Sequence, residues 1–418
     1  MGVIGGGLSG AVAAAALSAH GIGSVVYDTG EHGPGGRLAT RELGRDKGLR
    51  FDHAAQYITA TDARFAALAA RWREAGVVEE WRGAVGVLRP GGAFAPLPSA
   101  AGRLVAPAGM RSLAEHILAH EAPLASVKRP CWVGEMRAAP ADGVWRLVQA
   151  GRVVGEHHFV VIAHNGKCAN RLLRPSGAPL VDAQMARMKL SAIWCLMVAF
   201  AEPLRAPFEG AYVMDTPALA WAGNNTAKMR LSSDGGECWT LFSSAAYGRA
   251  NKVPQEAVPP DVSARVTAEM LAALSAALGA PLPPTTFTRT QLWGAALPTN
   301  TPRVPCIFDG AARVGMCGDW LLGADVQAAA LSGQATADAI AAAASQRGAG
   351  SLAHLSAGLT ARFSPVGGTD IGTLEKLPAA SAGAARKAGA PRSYVSRQRS
   401  ERRGANAELA AQVRSLAT

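Results

Sequence analysis

Six residues near the amino end have the types and spacing to hold a pair of phosphates. Gly5-Gly6-Gly7-Leu8-Ser9-Gly10 fits Gly-x-Gly-x-x-Gly, directly after the apolar Val3-Ile4 and directly before an alanine-rich helical stretch, Ala11 to His20. In that context Gly5 permits the tight turn, Gly7 lets the backbone approach a pyrophosphate, and Gly10 lets helix and strand pack closely. Leu8 and Ser9 stand at the helix N-terminus, whose positive end faces the phosphates. Asp28 follows Gly10 by 18 residues, at the end of a second strand, Ser24 to Asp28. At that distance a carboxylate reaches a ribose hydroxyl. Residues 1–29 thus read as strand, turn, helix and strand of a dinucleotide-binding unit.

A second group of residues favours FAD over NAD. Gly35-Gly36-Arg37-Leu38 follows Asp28 closely, and an arginine there places a planar donor fork on a pyrophosphate. Far downstream, Gly318-Asp319 closes a short strand, Val314 to Cys317. That carboxylate suits a hydrogen bond to a sugar-alcohol chain. A helix opening near Asp325–Gln327 would aim its positive end at the flavin ring. A fold for NAD alone has no need of this distal element. Val133, in a short strand expected at Cys131 to Val133, completes the FAD set.

The chain that must position these residues has 418 of them, enough for two or three structural units at ~100–200 residues each. Hydrophobic residues make up 49% and charged residues 17%, which excludes wholesale disorder. The longest apolar run, Leu190 to Ala201, is too short for a membrane-spanning helix and reads as a buried strand. Six scattered cysteines with no Cys-x-x-Cys exclude zinc-ribbon and thioredoxin-like sites and point to reduced, buried thiols. The net charge is +11, and +6 of it lies from Arg386 onward, where eight basic residues face two acidic ones. The charge belongs to a tail, not to a nucleic-acid-binding fold. So little chain precedes the glycine turn that a longer precursor, trimmed to this form, is the expectation.

Along the chain, residues 62–78 read as a helix, and Ser112 to His120 as another, with Ser112 and Glu115 at capping-box spacing. Short strands are expected at Cys131 to Val133 and Trp145 to Val148, and a long one at Val153 to Ala163. Residues 190–201, 211–222 and 238–244 read as strands of an antiparallel sheet. Val262 to Leu278 is an amphipathic helix, and Gln327 to Ala344 a closing one. Beyond about Ser345, Ala, Gly, Ser, Pro and Arg dominate, so 346–418 reads as a mostly disordered tail with a short helical segment at Asn406 to Leu416.

With these motifs in view the chain resembles the renalase-like branch of FAD-dependent amine-oxidase-fold oxidoreductases. The resemblance rests on Gly33-Pro-Gly-Gly-Arg-Leu-Ala-Thr40, on Phe51-Asp-His-Ala-Ala-Gln-Tyr57, and on Gly318-Asp319-Trp320 through Ser332-Gly333. Val161 to Leu172, Trp221-Ala-Gly-Asn-Asn-Thr-Ala-Lys228 and Gln291 to Pro298 are similar to a plant and green-algal subgroup assigned to the chloroplast. The resemblance covers residues 2–345. It implies an α/β fold with a Rossmann-like FAD domain at 1–66, 104–168 and 296–345. A second, α+β substrate domain on an antiparallel sheet, of the amine-oxidase or p-hydroxybenzoate-hydroxylase type, would take 67–103 and 169–295, with the disordered basic tail at 346–418. It places the protein in stroma or at thylakoids, otherwise in cytoplasm. Bacterial members oxidise dihydropyridine isomers of NAD(P) and pass electrons to oxygen. The chain departs from the family's pattern at Ala54, Gln291 and Ala295, which puts that substrate in doubt.

Flavin hydride chemistry asks mainly for positioning. Gln56 and Tyr57, within the 51–57 signature, are expected near the ring, with Trp221 and Trp293 as aromatic pocket walls. Asn224 and Asn225 offer polar contacts or form a turn. His53 and His164 read more simply as loop and strand-end residues than as bases. His116/His120 and His157-His158 lack the partner set a metal needs. No Gly-x-Ser-x-Gly, His-Glu-x-x-His or Gly-x4-Gly-Lys-[Ser/Thr] occurs, so hydrolase, zinc-protease and P-loop readings lack support. Three functions remain. The first is an FAD oxidoreductase of a small reduced substrate, with NAD(P)H or a dihydropyridine isomer as donor. The second is an oxidoreductase of a lipophilic plastid metabolite. The third is a flavin-fold scaffold whose basic tail, 386–418, contacts an acidic protein surface, RNA or anionic lipid.

Overall fold

The apolar stretches distribute themselves between two sheets with different demands on burial. In the computed structural model, which describes residues 1–44, 48–99, 101–139, 143–164, 167–232, 236–346 and 352–366, Met1–Glu375 forms one compact unit.

The first sheet has six strands in the order Ile307–Asp309, Val314–Met316, Val160–Ile162, Gly2–Ile4, Ser24–Tyr27 and Ala125–Lys128. All pairs are parallel except the antiparallel one at the Ile307–Asp309 edge. Val3 sits between Val161 and Val26 in the centre. These central strands are buried on both faces, which is why they read as unbroken Val/Ile runs rather than alternating ones. Helices Leu8–Ala19 and Val326–Ser345 pack together on one face, with Ala63–Glu74 in the same core. Helices Lys167–Leu173 and Pro179–Met185 pack on the other.

The second sheet has seven strands in the order Thr285–Trp293, Ile193–Phe200, Glu237–Phe242, Trp221–Asn224, Gly210–Val213, Val85–Arg89 and Ala93–Pro96. It is antiparallel except where Gly210–Val213 runs parallel to Val85–Arg89. Ile193–Phe200 is buried throughout, because both faces are covered. Helix Pro260–Leu278 presses Val266, Met270 and Leu274 onto one face, against Trp194 and Leu196. The other face carries Cys195, Met197, Tyr212 and Trp221 and meets the hairpin formed by Thr40–Leu43 and Leu49–Asp52, through Leu49 and Phe51. A three-stranded sheet, Glu135–Ala139, Val144–Gln149 and Arg152–His157, flanks the first. Among the described residues no helix is long and apolar enough to cross a membrane. All six cysteines are free, five of them buried.

Several local expectations change. Residues 131–133 are not a strand; the chain straightens only from Glu135. The run 153–163 is two strands in different sheets, and 211–222 is two strands joined by a turn in which Asp215 takes φ 60°. The helix at Arg111–His116 is N-capped by Met110, and the Ser112 hydroxyl donates back to Gly109 O, so no capping box forms. Helix Ala63–Glu74, placed from residue 67 in the substrate domain, packs in the core of the six-stranded sheet, as do the 167–185 helices. The expected disorder from 346 also shortens. Residues 352–355 form a 3-10 turn, Ser364–Pro365 pairs with Asn300–Thr301, and Phe363 stacks on Trp320 with ring centres 6.2 Å apart. The basic segment 386–418 and the helix expected at 406–416 lie outside the described residues.

The two long helices touch backbone to backbone. A Cβ added at Gly333 would overlap the Ser9 carbonyl oxygen, with no flexible side chain to give way. Gly333→Ala is therefore expected to lose about 1–3 kcal/mol of stability in urea denaturation; a change below about 0.5 kcal/mol, the usual range for surface substitutions, would contradict this packing.

Candidate cofactor site and the buried ion pair behind it

The glycine turn is held by its own backbone and by Asp28. Gly5 takes φ 114°, a region closed to most side chains, and its N–H donates to Tyr27 O at 2.8 Å. The Gly6 N–H donates to Asp28 Oδ2 at 2.7 Å and the Gly30 N–H to Oδ1 at 2.8 Å. Asp28 thus fastens the turn from below, and each oxygen retains a further acceptor position. Gly10 packs so tightly that an added Cβ would overlap Gly5 O. Gly7 differs: an added Cβ would meet only Gly35 O, at 3.7 Å, and one at Gly36 only the Gly7 Cα, at 3.6 Å. Gly7 also N-caps the first helix without a side chain, beside the buried Leu8 and Ser9. Space and first-turn amides therefore meet at one spot, which fits a dinucleotide's pyrophosphate. Leu38 is buried beneath the 3-10 turn Gly36–Leu38. Val133 is buried against Tyr27 and Cys131, beside the Asp28 strand end.

Arg37 and Asp319, expected to reach separate parts of a cofactor, are paired with each other. Arg37 Nη2 donates to Asp319 Oδ1 at 2.6 Å and Nη1 to Oδ2 at 2.7 Å; Nη1 also donates to Ala296 O at 2.8 Å. Asp319 is buried, and Gly318 N–H donates to Ser332 Oγ at 3.1 Å. The fork still has its Nε–H and one Nη2 hydrogen to offer sideways. Helix Val326–Ser345 begins where expected, with Asp325 accepting from Ala328 N–H at 2.7 Å. Burial holds the Asp325 carboxyl above its ordinary pKa. Gln327 accepts from the Thr61 and Asp62 N–H groups instead of approaching a ring.

Sequence reasoning missed the centre behind this site. Lys228 Nζ lies 2.8 Å from Asp52 Oδ2, with side chains 2% and 0% exposed. Asp52 Oδ1 accepts from Thr40 Oγ1 at 2.7 Å and Met110 N–H at 2.9 Å, and Lys228 Nζ donates to Gln56 O at 3.2 Å. Asn225 Oδ1 accepts from Asp52 N–H, and its Nδ2 donates to Thr240 Oγ1 at 2.8 Å. Asn224 caps helix Asn225–Met229 through Ala227 N–H. The asparagines are thus structural. The only signal in the sequence was that Asp52 and Lys228 both fall in the stretches that carry the family resemblance.

Of the four expected pocket residues, Gln56, Tyr57 and Trp221 lie together and Trp293 stands apart. Gln56 turns its amide onto Asp52 O and Ala54 O, at 2.6 and 3.0 Å, and braces its own loop. Tyr57 hydrogen-bonds Tyr212 through their hydroxyls, and its ring lies 6.0 Å from Trp221 and 5.9 Å from Trp81. Trp221 is fully buried, and its Nε1 has no hydrogen-bond partner. Trp293 Nε1 donates to His53 O at 2.9 Å. Gln291, Cys195, Phe242, Trp221 and Tyr212 lie in register across five strands. Trp221 is thus three strands, about 14 Å, from the edge strand that carries Trp293, so the two do not wall one small pocket. His53 Nδ1 donates to Ala39 O at 2.7 Å, and burial together with Arg41 pushes its pKa down to about 3. It is a neutral loop anchor. The rings of His116 and His120 lie 4.9 Å apart and tilted by 40°, and no cluster of three metal ligands exists among the described residues.

Lys228→Met leaves the Asp52 carboxylate buried without its cation and is expected to cost about 3–5 kcal/mol in urea denaturation. Asp52→Asn combined with Lys228→Met should recover part of that loss; equal losses in the single and double variants would contradict the pairing.

Residues 3–72 match the model of the NAD(P)-binding Rossmann-like domain. Among solved structures, the chain is similar to a protein described as a protoporphyrinogen oxidase from Exiguobacterium sp. 255-15, with TM-score 0.61 and 12% identity over 82% of this chain and 98% of that one. It is similar to cyclohexylamine oxidase from Brevibacterium oxydans, with TM-score 0.58 and 12% identity over 82% and 98% of the two chains. An oxidoreductase from Methanosarcina mazei gives TM-score 0.58 and 14% identity over 81% and 99%. At these identities the likeness is one of fold: a mixed α/β architecture with a Rossmann-like dinucleotide-binding domain, of the amine-oxidase type.

Proposed function

We propose that the chain is an FAD-dependent oxidoreductase that takes a hydride from a small reduced substrate of the NAD(P)H or dihydropyridine class and passes electrons on to oxygen or another acceptor. One observation supports this reading: the Gly7 and Gly36 backbones approach each other with open space at a helix N-terminus, while Asp28 fastens the adjoining Gly6 and Arg37, next to Gly36, forks onto Asp319. FAD, when bound, supplies the hydride-accepting ring. The chain supplies the rest. First-turn amides and the spare Arg37 donors neutralise the pyrophosphate. Asp28 accepts from a ribose hydroxyl. The face bearing Trp221, Tyr212 and Phe242 is apolar and keeps water from the reacting centre. His53, neutral and hydrogen-bonded to Ala39 O, is no proton shuttle; hydride transfer asks for none.

The motif resemblance supports a renalase-like member of the plant and algal subgroup and, with it, a place in the chloroplast. Contact of the basic tail, 386–418, with an acidic protein surface, RNA or anionic lipid belongs to the separate reading of the chain as a flavin-fold scaffold. The aromatic cluster of the buried Tyr212 and Trp221 with the half-buried Tyr57 favours a second reading, in which the substrate is a lipophilic metabolite.

The test is the anaerobic absorption spectrum of the purified protein before and after NADPH. The flavin band should be present and should bleach. Arg37→Ala should weaken FAD binding to the stripped protein by about 10–100-fold in a fluorescence titration. A flavin band that NADPH leaves unchanged would overturn the donor, and unchanged FAD affinity in Arg37→Ala would overturn the site.

A further inference from the structure

We propose that Arg41 and Arg289, with Gln291 between them, form a subsite for the phosphate of an anionic substrate; this rests on the reading of the chain as a nucleotide-type oxidoreductase and names how the substrate is gripped at its far end. Arg41 lies in the hairpin strand Thr40–Leu43, just beyond the Gly36–Leu38 turn. The hairpin leans on the edge strand Thr285–Trp293: Phe51, opposite Arg41 in the hairpin, stacks on Phe287 with ring centres 6.0 Å apart and planes 24° from parallel. Arg41 Nε donates to Gln291 Oε1 at 3.1 Å. Side chains alternate along a strand, so Phe287, Arg289, Gln291 and Trp293 share the face that meets the hairpin. Arg289 therefore stands between the stacked phenylalanines and the Gln291 amide that holds Arg41.

The electrostatics of this corner are unbalanced. Arg37 has Asp319, and Arg111 has Glu42 and Glu115. Glu42, next to Arg41 in sequence, turns to Arg50 and Arg111 instead. Among the described residues no carboxylate pairs with Arg41 or Arg289. Arg41 is only partly exposed, and burial together with Arg289 lowers its pKa. Both arginines also depress His53. Two guanidinium groups held together, one of them half out of water, repel each other unless an anion lies between them. A phosphate is the anion whose oxygens match two planar forks at once. The Arg41 Nη hydrogens are left over after its Nε–H has bonded Gln291, and Gln291 keeps its amide N–H for the same ligand.

The position fits a small ligand better than a macromolecule. The edge strand runs on from Gln291 to Trp293, whose indole holds the His53 carbonyl, and the chain then reaches Ala296, whose carbonyl receives Arg37. Gln291 and Ala296 are five residues apart, at most about 17 Å of extended chain. One ligand could thus place a reducing ring near the cofactor cleft and a phosphate at Arg41 and Arg289. A phosphorylated nucleotide such as NADPH has that shape.

The test measures binding by titration calorimetry to the flavin-loaded full chain, with NADPH, NADH, 2′,5′-ADP and inorganic phosphate as probes. Arg41→Gln and Arg289→Gln should each weaken NADPH and 2′,5′-ADP at least about tenfold, with flavin content unchanged. Arg289→Lys should restore part of the affinity. If NADPH suffers and NADH does not, the gripped group is the 2′-phosphate; if both suffer alike, it is the pyrophosphate; either supports the subsite. Phosphate or 2′,5′-ADP bound through the arginines while NADPH fails to bleach the flavin would keep the subsite and overturn the donor. Wild-type affinity for every probe in both Gln variants, or no binding of any probe to the wild type, would overturn the subsite and leave the flavin assignment standing.

Discussion

The Arg37–Asp319 pair is the constraint on which the cofactor half depends. It joins residues 282 positions apart, and Arg37 adds the carbonyl of Ala296 as a third anchor. Three segments with no local reason to meet are therefore drawn to one point: the turn after the second strand, the end of the last parallel strand, and the chain leaving the seven-stranded sheet. An exposed pair of this kind would contribute little. Here Asp319 is buried and the fork is bidentate, so separation would strand a carboxylate in an apolar setting. The backbone contact of Gly333 with Ser9 works in the same direction, because it lets the C-terminal helix lie against the helix whose N-terminus faces the cleft.

The part built on the seven-stranded sheet is tied to this frame by a second buried ion pair, Asp52–Lys228. Its members come from the hairpin and from the short helix after Trp221–Asn224. Thr40, Met110 and Gln56 hydrogen-bond the pair, and Asn225 and Thr240 brace the backbone around it. The network holds its members in place although Asp52 Oδ2 meets Lys228 as an ion pair without a hydrogen bond, and on the proposed reading a firm wall is what hydride transfer asks of a protein that does little acid–base chemistry. The face above it runs from polar at the edge strand, with Arg289 and Gln291, to aromatic in the middle, with Phe242 and Trp221. That gradient suits a ligand with a charged end and a flat, uncharged one.

How much of this was legible in the sequence depended on whether the cause was local. The glycine turn was legible because its requirements lie within six consecutive residues, and Asp28 because strand length fixes its distance. Helices 63–74 and 260–278 announced themselves by periodicity. The pairing of Arg37 with Asp319 was not legible, since both were expected at the cofactor but nothing local says that each is the other's partner. Lys228 sits in an unremarkable Ala-Lys-Met stretch, and only tertiary structure buries it. Trp221 and Trp293 were grouped by residue type, and strand order separates them. Residues 352–366 resembled a disordered tail by composition, yet Phe363 found Trp320 and Ser364–Pro365 found an unpaired strand edge. Ser112 and Glu115 had capping-box spacing, but Ser112 falls two residues past the N-cap Met110, too far in to cap the helix.

The most direct test of the central claim is chemical: denature the purified full chain, separate the released small molecules by chromatography, and quantify them against the protein. The account predicts FAD at close to one molecule per chain, because Asp28 and the pyrophosphate cleft select a dinucleotide. A chain that releases no flavin and takes none up when FAD is added, or one that holds FMN instead, would contradict it.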